Sequence, residues 1–123
     1  MGGTVAEYGY VTAWTGVRTG RERQAMELWA DAIGIYDKAK ANGQIEDFEA
    51  VLYQPTGGAV PGGIITLWGS QDQVDAMRRD QDRIRLQARA LILLEGLVET
   101  TAMRGGAVLE MMGLFDEVSR SLD

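Results

Sequence analysis

The chain contains no cysteine and no histidine. Without cysteine there can be no disulfide bond, no thiolate nucleophile, no iron–sulfur cluster and no cysteine-ligated zinc. Without histidine there can be no histidine-ligated haem, no histidine metal site and no histidine acid–base catalysis. Several large enzyme classes are thereby excluded, and because no acidic cluster has metal-ligand spacing, we predict neither a cofactor nor a metal.

Long hydrophobic runs and an excess of positive charge are also missing. No stretch of about 18 apolar residues exists, so we predict no membrane span. The net charge of −6 and the pI of about 4.6 disfavour nucleic acid or an anionic membrane surface as a partner. Residues 1–8 lack the basic and apolar segments of a signal peptide, which makes a cytoplasmic location the default prediction.

The length and composition are those of one globular domain. The chain has 123 residues, of which 46% are apolar and 24% charged. A domain of this size buries roughly two thirds of its unfolded surface and needs no metal or disulfide to hold a core. We therefore predict a single domain over residues 1–123, with a core at about 8–104.

Four segments are rich in aromatic and β-branched residues and predict strands. Two N-terminal capping boxes predict where the long helices begin: Thr19 with Glu22, and Ser70 with Gln73. The first helix covers about residues 20–41 and stops at Asn42-Gly43, and the second has a possible break at Asp80. Segment 91–97 suits either a helix end or a strand, and a terminal amphipathic helix covers about 107–122. The predicted strands are residues 8–15, 48–54, 63–69 and 98–104.

Apolar residues at helical spacing predict which side of each helix is buried. The terminal helix is expected to dock on the sheet or on a partner subunit. The predicted stripes are Ala25, Met26, Trp29, Ala32, Ile33 and Tyr36 in the first helix, Val74, Met77, Ile84, Ala88 and Leu91 in the second, and Val108, Met111, Met112, Phe115, Val118 and Leu122 in the last.

The element order βαββαβ predicts an α+β fold with a four-stranded antiparallel sheet and both long helices on one face. We expect the first and third strands to be central and to run parallel to each other. The other face of the sheet would be too apolar to leave in water, so a second copy of the chain is expected to cover it. That face is predicted to carry Tyr10, Thr12, Trp14, Thr66 and Trp68.

In this order and patterning the chain resembles the dimeric α/β-barrel superfamily, a branch of the ferredoxin-like folds. Segments 20–29, 45–49 and 77–80 are also similar to bacterial proteins without assigned function. The resemblance implies a homodimer whose sheets close into a barrel. Members include cofactor-independent monooxygenases, haem-degrading enzymes, chlorite-dismutase-like proteins, lactone isomerases and regulatory ligand-binding domains. The branches that use a haem-ligating histidine or a catalytic His–Asp pair do not suit a chain without histidine.

The candidate ligand-binding residues are the five side chains of the predicted open face. Trp14 and Trp68 end neighbouring strands and can wall a pocket for a flat apolar ligand, with polar contacts from Tyr10, Thr12 and Thr66. Ordinary core or dimer packing explains the same tryptophans. The glycine-rich stretch 57–63 is either a lid or a plain hairpin loop.

Glu99 is the best-placed general base, and Arg18 the best anion anchor, because both lie near the end of the first strand. A surface ion pair explains both residues equally well. Arg78, Arg79, Arg83, Arg85 and Arg89 alternate with acids, which predicts a solvated, salt-bridged helix face.

Of three functions we predict the first, and the other two are alternatives. The first is a homodimer that binds a small apolar or aromatic molecule in a barrel interior. The second is a cofactor-independent oxygenase that acts on an aromatic substrate near the two tryptophans. The third is a structural interaction module without a ligand, in which that interior would be filled.

Overall fold

The computed structural model describes residues 5–53 and 62–122. Within these ranges ten elements follow one another, and the predicted boundaries agree to within one or two residues for most of them. The elements are β1 (Tyr8–Trp14), β2 (Gly16–Val17), α1 (Glu22–Ala41), β3 (Asp47–Leu52), β4 (Gly63–Gly69), α2 (Gln71–Arg78), α3 (Gln81–Leu93), β5 (Leu94–Glu95), β6 (Val98–Met103) and α4 (Gly106–Ser121).

The predicted four-stranded sheet is confirmed, with strand order β3-β4-β1-β6 and antiparallel pairing throughout. β1 and β4 are central, but the expectation that they run parallel is wrong. The hairpin between β3 and β4 reverses the chain after the α1 crossover, so β4 returns antiparallel to β1. The short strands β2 and β5 form a second, two-stranded ladder that follows β1.

Polar side chains define the start of the second helical segment and its interruption. Ser70 Oγ accepts from the Gln73 backbone N–H, while Gln73 Oε1 accepts from Ser70 N–H, so this capping box is confirmed. Asp80 accepts from the backbone N–H of Arg83 and begins α3 as a separate helix. The predicted break at Asp80 is therefore confirmed.

The start of α1 differs from the prediction. The helix begins at Glu22, the preceding Arg21 gives no side-chain cap, and the Thr19 capping box does not form. Instead, Glu22 Oε1 accepts from the backbone N–H of Gly20 at 3.2 Å. The predicted end is confirmed, because Gly43 adopts a φ of +80°, which favours glycine.

Both long helical segments pack on one face of the sheet, which we call the covered face. Side chains opposite each other in the ladder share a face, so Tyr10 and Thr12 of β1 lie there with Leu67 and Ile65 of β4. The other face, which we call the open face, carries the alternating residues. Its central members are Gly9, Val11, Ala13, Ile64, Thr66 and Trp68.

The buried side of each helix agrees only in part with the predicted stripe. In α1, Ala32 and Tyr36 are buried as expected, but Met26 is 73% exposed. In α3 the stripe is wrong, because Asp80 restarts the helix and changes which side faces the sheet. The residues buried from α1 and α3 are Leu28, Ala32, Tyr36, Ala39, Arg83, Leu86, Ala90 and Leu93.

The terminal helix α4 buries only Ala107 among the described residues. Its apolar side chains, including Phe115 at 64% exposure, are largely in solvent, so α4 does not dock on its own sheet. No helix within residues 5–53 and 62–122 has the length and apolarity of a membrane span.

Candidate functional site

A cavity of about 440 Å³ lies between the covered face and the two helices α1 and α3. Its walls are almost entirely apolar, and Trp14 and Trp29 meet there edge to face, with ring centroids 6.1 Å apart. Edge-to-face packing is a favoured aromatic geometry, so the two rings hold each other in place. The other wall residues include Leu28, Ala32, Ile65, Leu86, Ala90 and Leu94.

The exposed lining residues mark the mouth of the cavity. Met26 and Leu52 both line it and are 73% and 59% exposed, and Val17 and Glu22 also reach the surface. These residues come from the first turns of α1, the end of β3 and the β2 segment. The mouth therefore lies at the side of the molecule where α1 begins.

A buried ion pair forms the polar end of the cavity. Arg83 Nη1 donates to Glu99 Oε2 at 2.9 Å, and only 6% and 9% of the two side chains are exposed. The hydroxyl of Tyr10 donates to the same carboxylate oxygen. The Arg83 guanidinium also lies 4.9 Å from the centroid of the Tyr10 ring. The three groups thus form one connected cluster, and both Arg83 and Glu99 line the cavity.

Arg83 is held by the helix junction from which it projects. Its Nε donates to the Met77 carbonyl at 2.7 Å and its Nη2 to the Arg78 carbonyl at 2.8 Å. These carbonyls lie in the last turn of α2, so Arg83 adds hydrogen bonds there, besides the one that Asp80 N–H makes to Met77, and places positive charge at the helix C-terminus. Every nitrogen of the guanidinium therefore has a partner within the protein.

The polar atoms at this end that lack a hydrogen-bond partner among the described residues include Glu99 Oε1 and the Tyr36 hydroxyl. Of the described buried polar side-chain atoms, only Trp68 Nε1 is both sealed from solvent and unpaired. The two oxygens therefore reach open space, and both residues line the cavity. Burial raises the pKa of Tyr36 to about 12, so its hydroxyl stays protonated at neutral pH. Burial, and then the hydrogen bond to Glu99, raise the pKa of Tyr10.

The structure separates the five predicted ligand-binding residues. Thr12 and Trp14 line the cavity, and Tyr10 supports it through Glu99. The expectation that all five lie on the open face is wrong, because Tyr10, Thr12 and Trp14 lie on the covered face with Leu67, Ile65 and Gly63. Only Thr66, opposite Val11, and Trp68, opposite Gly9, have the predicted orientation. Both therefore lie on the open face. The sequence shows which residues of one strand share a face. Which of them share a face with residues of the neighbouring strand depends on the register between the two strands.

Trp68 has a different environment on the open face. The Arg104 guanidinium lies 3.8 Å from its ring centroid, while Arg104 Nε donates to the Ala6 carbonyl at 2.7 Å. Arg104 Nη1 is also 4.0 Å from a Glu49 oxygen. Trp68 thus belongs to a half-exposed cation–π cluster on the side of the sheet away from the cavity.

The predicted pairing of Glu99 with Arg18 does not form. Glu99 pairs with Arg83, whereas Arg18 is exposed and its guanidinium donates to the Leu91 carbonyl at 3.4 Å. The prediction that Arg83 belongs to a solvated helix face is also wrong. One signal was present: Arg83, Leu86 and Ala90 share helical spacing once α3 is taken to start at Asp80.

Metal ligation has little support in the described ranges. No group of three or more acidic side chains within residues 5–53 and 62–122 is placed to hold a metal ion. Residues 57–63, interpreted from the sequence as either a lid or a plain hairpin loop, lie mostly outside the described residues. Chemically, the cavity offers apolar contact and the polar groups of Glu99, Tyr36, Thr12 and Gln87, with a second carboxylate, Glu22, at its mouth.

Comparison with known proteins identifies the fold of this chain but gives no function. No model of a protein family matches it, and no curated protein matches it. Solved structures do: a dimeric protein of unknown function with a ferredoxin-like fold from Bacteroides fragilis aligns with a TM-score of 0.61 at 8% identity, over 80% of this chain and 96% of that one.

Two further solved structures have a similar fold. A dimeric ferredoxin-like protein of unknown function from Thermobifida fusca aligns with a TM-score of 0.64 at 9% identity, covering 80% of this chain and 92% of that one. A Pseudomonas aeruginosa protein aligns with a TM-score of 0.56 at 13% identity, covering 85% and 100%. At such identities the likeness shows the fold alone, and the chain has a ferredoxin-like α+β fold.

Proposed function

We propose that this protein is a homodimer that binds a small apolar or aromatic molecule in the cavity between the covered face and the helices α1 and α3. The observation that carries the proposal is the cavity itself, with apolar walls and a polar end at Glu99. Ligand sites in proteins are concave, mostly apolar, and fixed by a few placed polar groups. At about 440 Å³ the cavity falls within the usual range of roughly 300–1,000 Å³.

The position of the site revises the sequence-based hypothesis. That hypothesis put the ligand in the interior of a two-subunit barrel, which the open faces would line. The cavity instead lies within one chain, on the other side of the sheet, so each subunit would hold its own ligand. Thr12 and Trp14 remain candidate ligand contacts, and Trp68 becomes a candidate dimer contact.

The homodimer is proposed from two unpartnered apolar surfaces. On the open face, Val11, Ile64 and Trp68 are only half-buried, and α4 exposes Met112 and Phe115. Large apolar patches on a soluble protein usually mark an interaction surface. The two dimeric structural neighbours share this fold, which supports the same arrangement here. Two open faces packed together would close the sheets into a barrel.

A matched pair of substitutions on α3 tests the cavity. Ala90 lines the cavity and is buried, whereas Ala88 of the same helix is exposed. Ala90→Phe should fill the cavity and lower the affinity for naphthalene at least tenfold, and Ala88→Phe should leave it unchanged. Equilibrium dialysis of naphthalene against each variant measures the difference.

The result of this test also separates ligand binding from a purely structural role. If naphthalene and similar flat probes fail to bind the unmodified protein, the cavity is not a ligand site and a structural module is favoured. If both variants bind as the unmodified protein does, the probe sits elsewhere and the proposed site is wrong.

The dimer is tested by placing a charge in each apolar surface. Val11→Asp on the open face and Phe115→Asp on α4 should each shift the protein toward the monomer in sedimentation velocity, because an unpaired buried charge is costly. Glu117→Gln on α4 is the control for a change in the exposed charge of that helix. A protein that is monomeric before any substitution would contradict the proposal.

A second candidate function is a cofactor-independent oxygenase. The observation that favours it is a carboxylate at the end of an apolar pocket, because Glu99 could accept a proton from a bound phenol. An oxygen electrode with 2-naphthol as substrate tests it. Oxygen consumption that Ala90→Phe abolishes would favour the enzyme over a binding protein.

A further inference from the structure

We infer that the cavity selects neutral aromatic compounds that carry a hydroxyl or N–H donor, and that it rejects aromatic carboxylates. The inference deepens the proposed function and rests on it. It concerns what the polar end recognises, where the proposed function concerns only whether the cavity is a site.

The Glu99 carboxylate provides the acceptor. Its Oε2 is occupied by Arg83 and Tyr10, while Oε1 has no partner among the described residues. The side chain is 91% buried, with only 9% exposed, and it lines the cavity. A buried acceptor with a free oxygen favours a ligand that can donate to it, because an unmade hydrogen bond there is costly.

Arg83 does not provide an anion site, although it is the only basic residue among the described residues that line the cavity. Three of its five N–H groups, one on each nitrogen, already donate to Met77, Glu99 and Arg78. Its charge is balanced by Glu99, and the other charged lining residue is the acidic Glu22 at the mouth. A ligand carboxylate would therefore meet net negative charge without a free cation to pair with.

Tyr36 adds a second polar contact of the same kind. Its hydroxyl is unpaired among the described residues, lines the cavity and stays protonated at neutral pH. A phenolic hydroxyl can both donate and accept, so it can bind the oxygen of a ligand hydroxyl that donates to Glu99. Such a pair of contacts fixes both the position and the orientation of a hydroxyl group.

Three probes with one ring system separate these contributions: naphthalene, 2-naphthol and 2-naphthoate at neutral pH, compared by equilibrium dialysis. We expect 2-naphthol to bind about tenfold or more tightly than naphthalene, since a hydrogen bond to a charged acceptor is worth at least that factor. We expect 2-naphthoate to bind most weakly.

The variants must remove the acceptor without leaving a buried cation. Glu99→Leu alone would strand Arg83, so the test combines Arg83→Met with Glu99→Leu, which removes both charges. In this double variant 2-naphthol and naphthalene should bind with similar affinity, and the discrimination against 2-naphthoate should shrink. Tyr36→Phe should reduce the preference for 2-naphthol by a smaller factor, and Glu49→Gln on the open face should change nothing.

The possible results distinguish this inference from the proposed function. If naphthalene binds but 2-naphthol binds no better, or if 2-naphthoate binds best, the inference is overturned while the cavity remains a site. If the double variant keeps the full preference for 2-naphthol, Glu99 is not its source and the inference is likewise overturned. If no probe binds, the proposed function fails and this inference fails with it.

Discussion

The two faces of the sheet carry similar clusters of residues in different environments. Each has a tryptophan beside a glycine of the neighbouring strand: Trp14 next to Gly63 on the covered face, and Trp68 next to Gly9 on the open face. Each also has an arginine close to an aromatic ring. On the covered face that arginine is enclosed and paired, whereas on the open face it lies in contact with water.

The difference shows that environment, more than residue type, decides what such a cluster contributes. The Arg83–Glu99 pair is buried, so removing one partner leaves an uncompensated charge. The Arg104–Glu49 pair is long and exposed, so its electrostatic energy is small. Four predictions test this comparison, in decreasing order of expected effect.

Breaking the buried pair should have the largest effect. Glu99→Leu should lower the free energy of unfolding by about 3–5 kcal/mol, because Arg83 remains buried without its partner. The double variant with Arg83→Met should recover most of that loss. Urea unfolding followed by far-ultraviolet circular dichroism measures both. Equal losses in the single and the double variant would show that the charge is not the cause.

The buried Tyr36 should make the free energy of unfolding fall at high pH. Its pKa is raised from 10.0 to about 12, so the folded state keeps the proton where the unfolded state releases it. Stability is therefore unaffected below pH 10 and falls by about 2–3 kcal/mol as the pH rises from 10 to 12. Tyr36→Phe should remove this part of the decline. Identical pH profiles of unfolding for both proteins would contradict the burial argument.

The two glycine–tryptophan contacts should differ in how well they tolerate a side chain in place of the glycine. A Cβ at Gly63 would overlap the enclosed Trp14 ring, whereas one at Gly9 would lie 2.9 Å from Trp68 Cζ3 on the open side. Gly63→Ala should cost about 1–3 kcal/mol through overpacking. Gly9→Ala should cost less, because the half-exposed ring can shift. Thermal unfolding compares them, and a larger loss for Gly9→Ala would reverse the comparison.

The cation–π contact on the open face should have the smallest effect. Arg104→Gln removes the charge over Trp68 and should cost about 1 kcal/mol, with a change in tryptophan fluorescence. Glu49→Gln, which removes only the distant ion-pair partner, should cost close to nothing. A loss as large as that of Glu99→Leu would mean that the open face is covered in solution.

Local chemistry could be predicted from the sequence where a short motif determines it. The capping residues Ser70 and Asp80 and the stop at Gly43 were recognisable, because a cap depends on neighbours along the chain. The strand order followed from the element order. These features rest on interactions within a few residues or on general rules of chain connection.

The candidate site was less predictable because it depends on which residues of each strand and helix face inward. Placing Trp68 with Trp14 required the register between β4 and β1, which alternation within each strand does not contain. Placing Arg83 inside required resetting the helical phase at Asp80. Glu99 was singled out for its position near the end of the first strand, but its partner was misidentified, since Arg18 is nearer in the predicted topology and Arg83 is nearer in space.

The hydrogen bonds of Arg83 also bear on how fast a molecule bound at the proposed site would exchange. They join the end of α2, the first turn of α3 and the strand β6 into one closed wall. A molecule leaving through that wall would have to separate a buried ion pair and two carbonyl contacts together. A ligand of the proposed site would therefore leave past Met26 and Leu52 at the other end, and the side chains of that opening would set its residence time.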